Sequence, residues 1–159
     1  MLLLGEFEHT IDSKNRLAVP ADIRDVLLSQ GTTGGLIAAP GSNGTLWLWP
    51  EKTFEGLAAD LGGSLLGEKD MTDFQRAIFS QSARCPMDSA GRVRLPERLL
   101  ARYGLAGSVM VLGVRDHLEL MSPAEWKEAS SALPSDQEIW QRARNAAGAV
   151  APRDGGGNA

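Results

Sequence analysis

Cysteine and histidine are nearly absent from this chain of 159 residues: Cys85 stands alone, and His9 and His117 are the only histidines. One thiol cannot form an internal disulfide, and neither histidine belongs to a constellation with metal-ligand spacing, so disulfide scaffolds and zinc sites are excluded and no cofactor is expected. Cys85 reads as a small apolar residue of a reducing compartment, not a reactive thiol. No apolar run approaches the roughly 18 to 20 residues that span a bilayer. The opening MLLLGEFEHT has three leucines before Gly5 and Glu6 but no basic leader or cleavage site, so a soluble cytoplasmic chain is expected, with no membrane partner. Phosphate-loop, Gly-x-Gly-x-x-Gly and Gly-x-Ser-x-Gly motifs are missing, so no catalytic residue is assigned and no small-molecule substrate is evident. Nor is there the basic excess that usually marks a nucleic-acid partner, since the net charge is −4.

What is present is a repeat. DSKNRLAVP at residues 12–20 returns as DSAGRVRLP at 88–96, 76 positions later, with Asp, Ser, Arg and Pro identical. Leu17 and Val19 are matched by the apolar Val93 and Leu95, and Asn15 stands where the second copy has Gly91. The period changes inside each copy. Phe7, His9 and Ile11 alternate, then Leu17 and Val19, on either side of a polar cluster, which predicts a β-hairpin. Its turn needs a left-handed residue, supplied by Gly91 or by Asn15, and Asp12 or Asp88 opens it, where a carboxylate accepts backbone N–H bonds. After Pro20 and Pro96 the spacing turns helical, with Ile23, Val26 and Leu27 leading to Gly31, and Leu99, Leu100 and Tyr103 leading to Gly104. GGLIAAPGSNGTLWLWP and GSVMVLGVRDHLELMSP then read as second hairpins. The fold class is therefore α+β. A unit of about 45 residues buries too little apolar surface to be stable alone, so the two copies are expected to interleave their hairpins around one pseudo-twofold core, each serving as the other's dimer partner.

Between the copies, residues 51–82 read as helical, interrupted at Gly62, Gly63 and Gly67, with Thr72 and Gln75 as a capping box. Ser122 with Glu125 and Ser135 with Glu138 announce two further helices, and the glycine-rich end reads as a flexible tail.

The repeated arginines carry the functional argument. Arg16 and Arg92 follow the left-handed residue at the head of strands whose Leu17 and Val93 face inward, so alternation sends both guanidinium groups outward. Such planar forks match guanine edges or phosphates. The same spacing lets Arg16 and Arg92 pair with their own Asp12 and Asp88 and so fix the turns; the two readings coexist. Paired Asp-Ser turns also resemble aspartic proteases, but that motif has glycine two residues after the aspartate, where this chain has Lys14 and Ala90, and an adjacent arginine opposes proton sharing. Between Arg84 and Arg102 five arginines face only Asp88 and Glu97, so folding can build a local positive surface on an acidic chain. Lys14, Arg94, Arg98 and Arg102 taken singly read as solvated charges, the histidines as strand-capping or solvent-facing, and Trp47, Trp49, Trp126 and Trp140 as core or interface residues.

GEFEHTIDSKNRLAVP, CPMDSAGRVRLP and HLELMSPAEW together closely resemble the MraZ family of bacterial transcriptional regulators, whose hallmark, Asp-x-x-Gly-Arg with a proline shortly after, occurs twice. The likeness runs from residue 1 to about 145. It implies two tandem swapped-hairpin, AbrB-like units sharing a β-barrel core, with peripheral helices: repeat 1 at 6–53, a helical linker at 54–81, repeat 2 at 82–125, a C-terminal helix at 126–147 and a tail at 148–159. It implies a ring-shaped homo-oligomer bound to double-stranded DNA at short G-rich promoter repeats of the division and cell wall genes, usually as a repressor at the nucleoid. Carried onto this chain, the DNA-reading residues are Arg16 and Lys14, with Arg92 and Arg94 after them, and the turn-forming residues are Asp12, Asn15, Asp88 and Gly91. Asn15 departs from the family's glycine. The rival reading is a non-enzymatic oligomeric adaptor that binds protein partners through the same hairpins.

Overall fold

The computed structural model describes residues 1–32, 34–61 and 67–150. Its elements run β1 (Leu3–Thr10), β2 (Arg16–Ala18), α1 (Ala21–Ser29), β3 (Leu36–Pro40), β4 (Leu46–Pro50), α2 (Glu51–Leu61) and α3 (Glu68–Phe79), followed by β5 (Ala83–Cys85), β6 (Arg92–Arg94), α4 (Glu97–Arg102), β7 (Ser108–Arg115), β8 (His117–Met121), α5 (Pro123–Ser131) and α6 (Asp136–Val150). Each half spells the same order, strand, strand, helix, strand, strand, helix, helix. The duplication thus adds two helices to the strand-rich part of each copy. No helix among the described residues is long and apolar enough to cross a membrane.

The chain divides into two compact units, Met1–Trp126 and Lys127–Ala159. In the first, six strands form an antiparallel sheet in the order β1-β7-β8-β4-β3-β5, and β2 pairs with β6 in a separate ribbon. Exchanging the copies reverses this order onto itself. The symmetry axis passes through the pair Trp47–Glu119, between β4 and β8, and through Leu17–Val93, between β2 and β6. Three of the sheet's pairings join strands of different copies: β1 with β7, β5 with β3, and β4 with β8.

Two expectations are corrected here. The strands predicted to pair as the first hairpin, around Phe7–Ile11 and Leu17–Val19, do not pair with each other; β1 joins β7 and β2 joins β6. Alternation fixes which way side chains face, not which strand lies alongside, and the larger apolar surface lies across the copies. The second correction concerns the barrel. Among the described residues the sheet is open, ending at β1 and β5, because the turns after β1 and β5 carry β2 and β6 out of its plane to pair together. The later hairpins, β3 with β4 and β7 with β8, form as the sequence predicts.

The core lies between the sheet and the layer made by the ribbon with α1 and α4. Leu17, Val19, Ile23 and Leu27 of the first copy and Val93, Leu95, Leu99 and Leu100 of the second meet Leu36, Leu46, Leu48, Val109, Val111, Leu118 and Leu120 of the sheet, all buried. Fully burying one such side chain contributes about 1.5–3 kcal/mol, and each copy supplies only part of either layer. On the sheet's other face, Ile37, Ala39 and Trp49 pack with Phe54 of α2, and Met110, Leu112 and Met121 with Trp126 of α5. Strands β3, β4, β7 and β8 are thereby buried on both faces, which explains their continuous apolar runs.

Helix starts follow local chemistry. Ser122 and Glu125 form a reciprocal capping box, with the Ser122 N–H donating to Glu125 Oε2 at 2.9 Å and the Glu125 N–H to Ser122 Oγ at 3.1 Å. The Glu138 N–H donates to Ser135 Oγ at 3.3 Å. Thr72 is not a cap: α3 starts a turn earlier, at Glu68, and the Thr72 hydroxyl donates to the Glu68 carbonyl inside the helix. Glu68 and Asp70 in that earlier first turn complement the helix dipole. Gly62, Gly63 and tail residues 151–159 lie outside the described residues; α6 runs to Val150.

Candidate nucleic-acid interface

The repeated motif folds into one device, made twice. In the first turn Asp12 Oδ1 accepts from the backbone N–H groups of Lys14 and Arg16, both at 2.9 Å, while Oδ2 accepts from Arg16 Nε at 2.7 Å. In the second, Asp88 Oδ1 accepts from the amides of Ala90 at 3.0 Å and Arg92 at 2.9 Å, and Oδ2 from Arg92 Nε at 2.9 Å. Backbone bonds close each turn: the Asn15 N–H donates to the Asp12 carbonyl and the Gly91 N–H to the Asp88 carbonyl, both at 3.0 Å. The backbone at Asn15 has φ 62° and at Gly91 φ 76°, the left-handed region in which asparagine is tolerated better than most residues. The two turns then grip each other's ribbon strand, the Val19 N–H donating to the Gly91 carbonyl at 2.9 Å and the Leu95 N–H to the Asn15 carbonyl at 2.8 Å.

Amide donation holds both carboxyls below their usual range: the backbone N–H of Arg16 is the main cause at Asp12 and that of Arg92 at Asp88, outweighing desolvation, with the guanidinium bond assisting. Both carboxylates are therefore fully ionised at neutral pH. Each binds its arginine through Nε alone, so the guanidinium plane is fixed while, among the described residues, the Nη groups of Arg16 and Arg92 donate to no other protein atom. A fork held by its base with its outer edge open is an arrangement suited to an external acceptor.

Register decides which side chains share a face. Arg16 lies opposite Arg94, Leu17 opposite Val93, and Ala18 opposite Arg92. Leu17 and Val93 are buried, so the outer face of the ribbon presents Arg16, Arg94, Arg92 and Ala18. Directly opposed Cα atoms are about 4.5–5.5 Å apart and successive outward residues of a strand about 7 Å apart, so three guanidinium groups occupy a patch the width of one two-stranded ribbon. Lys14 is exposed on the first turn. Arg94 Nε donates to the Lys14 carbonyl at 3.1 Å, joining an arginine of the second copy to the turn of the first.

Two arginines at this surface lie outside the repeated motif. Arg24 of α1 lies against Gly91, where a Cβ would come within 2.8 Å of its Cδ. Arg84 of β5 lines a groove with Ser13, Lys14, Asn15 and Arg94 and pairs with Glu51. Each resembles an ordinary solvated charge until the chain brings it to the ribbon. Arg98 and Arg102 stay away from it, Arg98 donating to Gln81 and Arg102 lying 5.3 Å from the centre of the Tyr103 ring. His117 differs from the expectation of a solvent-facing residue. It is buried against the rings of both Trp47 and Trp49, with centroids 4.0 and 4.6 Å away, and its nitrogens meet Asp116 at 2.8 Å and Glu119 at 3.2 Å. The cause is the β4–β8 pairing, which swings both indoles over the hairpin. Cys85 is buried, and desolvation pushes its thiol up to about 11. Among the described residues, no three His, Cys, Asp or Glu side chains are grouped to hold a metal ion.

The family model described as MraZ protein matches this chain twice in tandem, over residues 2–77 and 78–146. Among curated proteins the chain is similar to the transcriptional regulator MraZ of Roseiflexus castenholzii, with 32% identity over 139 residues covering 87% of this chain and 94% of the relative. It is also similar to those of Thermomicrobium roseum, 31% identical over 85% of this chain and 92% of the relative, and Symbiobacterium thermophilum, 32% identical over 80% and 88%.

Proposed function

The chain belongs to the MraZ family, whose domain it carries twice, and on that premise we propose that it is a sequence-specific, DNA-binding transcriptional regulator, a repressor acting at the nucleoid in the cytoplasm. Its targets are short G-rich direct repeats upstream of the division and cell wall genes. It works as a ring-shaped homo-oligomer of swapped-hairpin, AbrB-like units, without enzymatic activity or cofactor. Arg16 and Lys14 are the principal DNA contacts, with Arg92 and Arg94 in support; Asp12, Asn15, Asp88 and Gly91 shape the turns that hold them.

One observation carries this reading: three arginines share the outer face of a two-stranded ribbon, two of them clamped by a carboxylate at Nε with the outer edge open. A B-DNA major groove admits a two-stranded ribbon, and arginine is the commonest partner of guanine O6 and N7. The net charge of −4 is compatible with DNA binding because linked copies multiply weak contacts through effective concentration. Exposed apolar side chains at Leu133, Ile139 and Trp140 support assembly into such an oligomer.

The test is electrophoretic. A duplex from immediately upstream of the chain's own coding sequence should shift, with affinity falling steeply as salt rises, and Arg16→Ala should abolish the shift while leaving oligomer mass unchanged. An intact oligomer that shifts no duplex would favour the protein-binding adaptor instead.

A further inference from the structure

The two ends of the ribbon differ in a way the turns do not explain. Two residues past each turn arginine the first copy has Ala18 and the second has Arg94. Antiparallel register then lays Arg94 beside Arg16, at the first copy's turn and not at its own. Arg94 is exposed, and the bond from its Nε to the Lys14 carbonyl at 3.1 Å draws its guanidinium over that turn. Among the described residues its Nη groups donate to no protein atom. The groove there is lined by Ser13, Lys14, Arg84 and Arg94, with Glu97 as its only carboxylate.

Building on the DNA-binding reading above, we infer that this groove seats one backbone phosphate of the duplex and is completed across the copies, Lys14 coming from the first and Arg94 from the second, with Arg84 on the rim. The chemistry of the walls selects the ligand. The unesterified oxygens of a phosphodiester only accept hydrogen bonds and share one negative charge; a lysine ammonium supplies a point charge and an arginine edge supplies paired donors. A guanine edge also presents only acceptors, N7 and O6, but it is neutral, whereas a groove that combines a lysine ammonium with arginine edges favours the charged phosphodiester. Arg16, on the open ribbon face, is the base-facing partner, and the seat fixes its register along the duplex. The second copy then does more than complete a core: it supplies part of the first copy's contact.

Fluorescence anisotropy on the full chain separates the outcomes, using the upstream duplex and a base-scrambled version of it, with Arg94→Ala and Arg94→Gln. Glutamine keeps an amide donor for the Lys14 carbonyl and drops the charge. Both variants should weaken binding to both duplexes by about five- to tenfold and lower the slope of log affinity against log salt by about one. Wild-type affinity in Arg94→Gln would overturn the seat, leaving Arg94 as a brace for the turn. So would loss confined to the native duplex, which marks a base contact, or no change in either variant. Wild-type protein that binds neither duplex would remove the DNA-binding reading itself, a result distinct from tight wild-type binding indifferent to Arg94.

Discussion

The turns at residues 12–16 and 88–92 are built alike and equipped differently. Each has a carboxylate accepting two backbone amides and one arginine Nε, and each closes over a left-handed fourth residue. Around the first stand Lys14 and Arg94; the equivalent positions around the second are Ala90 and Ala18. Behind the second lies Arg24, whose counterpart in the second copy is the buried Leu100. Backbone geometry is thus kept by the duplication while charge is not. What must be duplicated is the part that shares a core and a ladder; what reaches solvent is free to specialise.

The largest effect expected from this difference lies in DNA affinity. One good bidentate arginine contact is worth about 1–3 kcal/mol of base discrimination. Arg16→Ala should therefore reduce affinity by up to about 150-fold, while Arg92→Ala, whose turn has Ala90 and Ala18 where the first has Lys14 and Arg94, should cost less than about threefold. Isothermal titration of the two variants against one duplex measures the ratio. Equal losses would break the comparison and make the ends of the ribbon equivalent readers.

Next in size is a stability effect confined to the second turn. Gly91→Ala adds a Cβ at φ 76° and pushes it against Arg24. Left-handed strain in a residue other than glycine costs about 1–3 kcal/mol, so thermal melting should drop by about 2–12 °C. Unchanged melting would mean that Arg24 moves aside at no cost and that the second turn has no need of its glycine.

Much of this architecture was legible in the chain. The Asp-to-Pro repeat marks both turns, Gly31 and Gly104 mark where α1 and α4 end, and inward alternation at Leu17 and Val19 sends Arg16 outward. The partners of the strands flanking each turn were not legible, because Phe7 and Leu17 show the same period whether they pair with each other or with separate strands of the other copy. The site was half legible for the same reason. Arg16 and Arg92 announce themselves by repetition. The exchange that brings Arg94 to the first turn depends on the β2–β6 register, and the positions of Arg24 and Arg84 depend on helix and sheet packing that no local pattern encodes. His117 likewise looks like a hairpin surface residue until two tryptophans of another strand cover it.

A smaller effect should appear in acid and should be the same at both turns. Asp12 and Asp88 each lie below the ordinary value of 3.8 in the folded chain. A carboxyl depressed by folding contributes its full stabilisation above its unfolded value and loses it as pH falls through the folded one. From pH 8 down to about 5 neither turn should titrate, and each should loosen only below about 4. Carboxyl carbon shifts followed by NMR through this range read both residues. A normal titration at Asp88 alone would show that the second clamp is weaker than the first.

The smallest effect is predicted for Asn15→Gly, and it bears most directly on why the copies differ. Glycine relieves a left-handed asparagine of roughly a few tenths to 1 kcal/mol of backbone strain, but it enlarges the unfolded ensemble by a comparable 0.4–1 kcal/mol or so. The two terms nearly cancel, so melting should move by less than about 2 °C and DNA affinity should stay within about twofold. Asn15 is only half-buried and lines the groove beside Lys14 and Arg94, whereas Gly91 is buried under Arg24. The reverse substitution, Gly91→Asn, therefore meets the Arg24 side chain and should be at least as damaging as Gly91→Ala. A large affinity loss in Asn15→Gly with unchanged melting would instead give the asparagine amide a contact of its own with the duplex, and the first turn would then owe its reading to four side chains, not three.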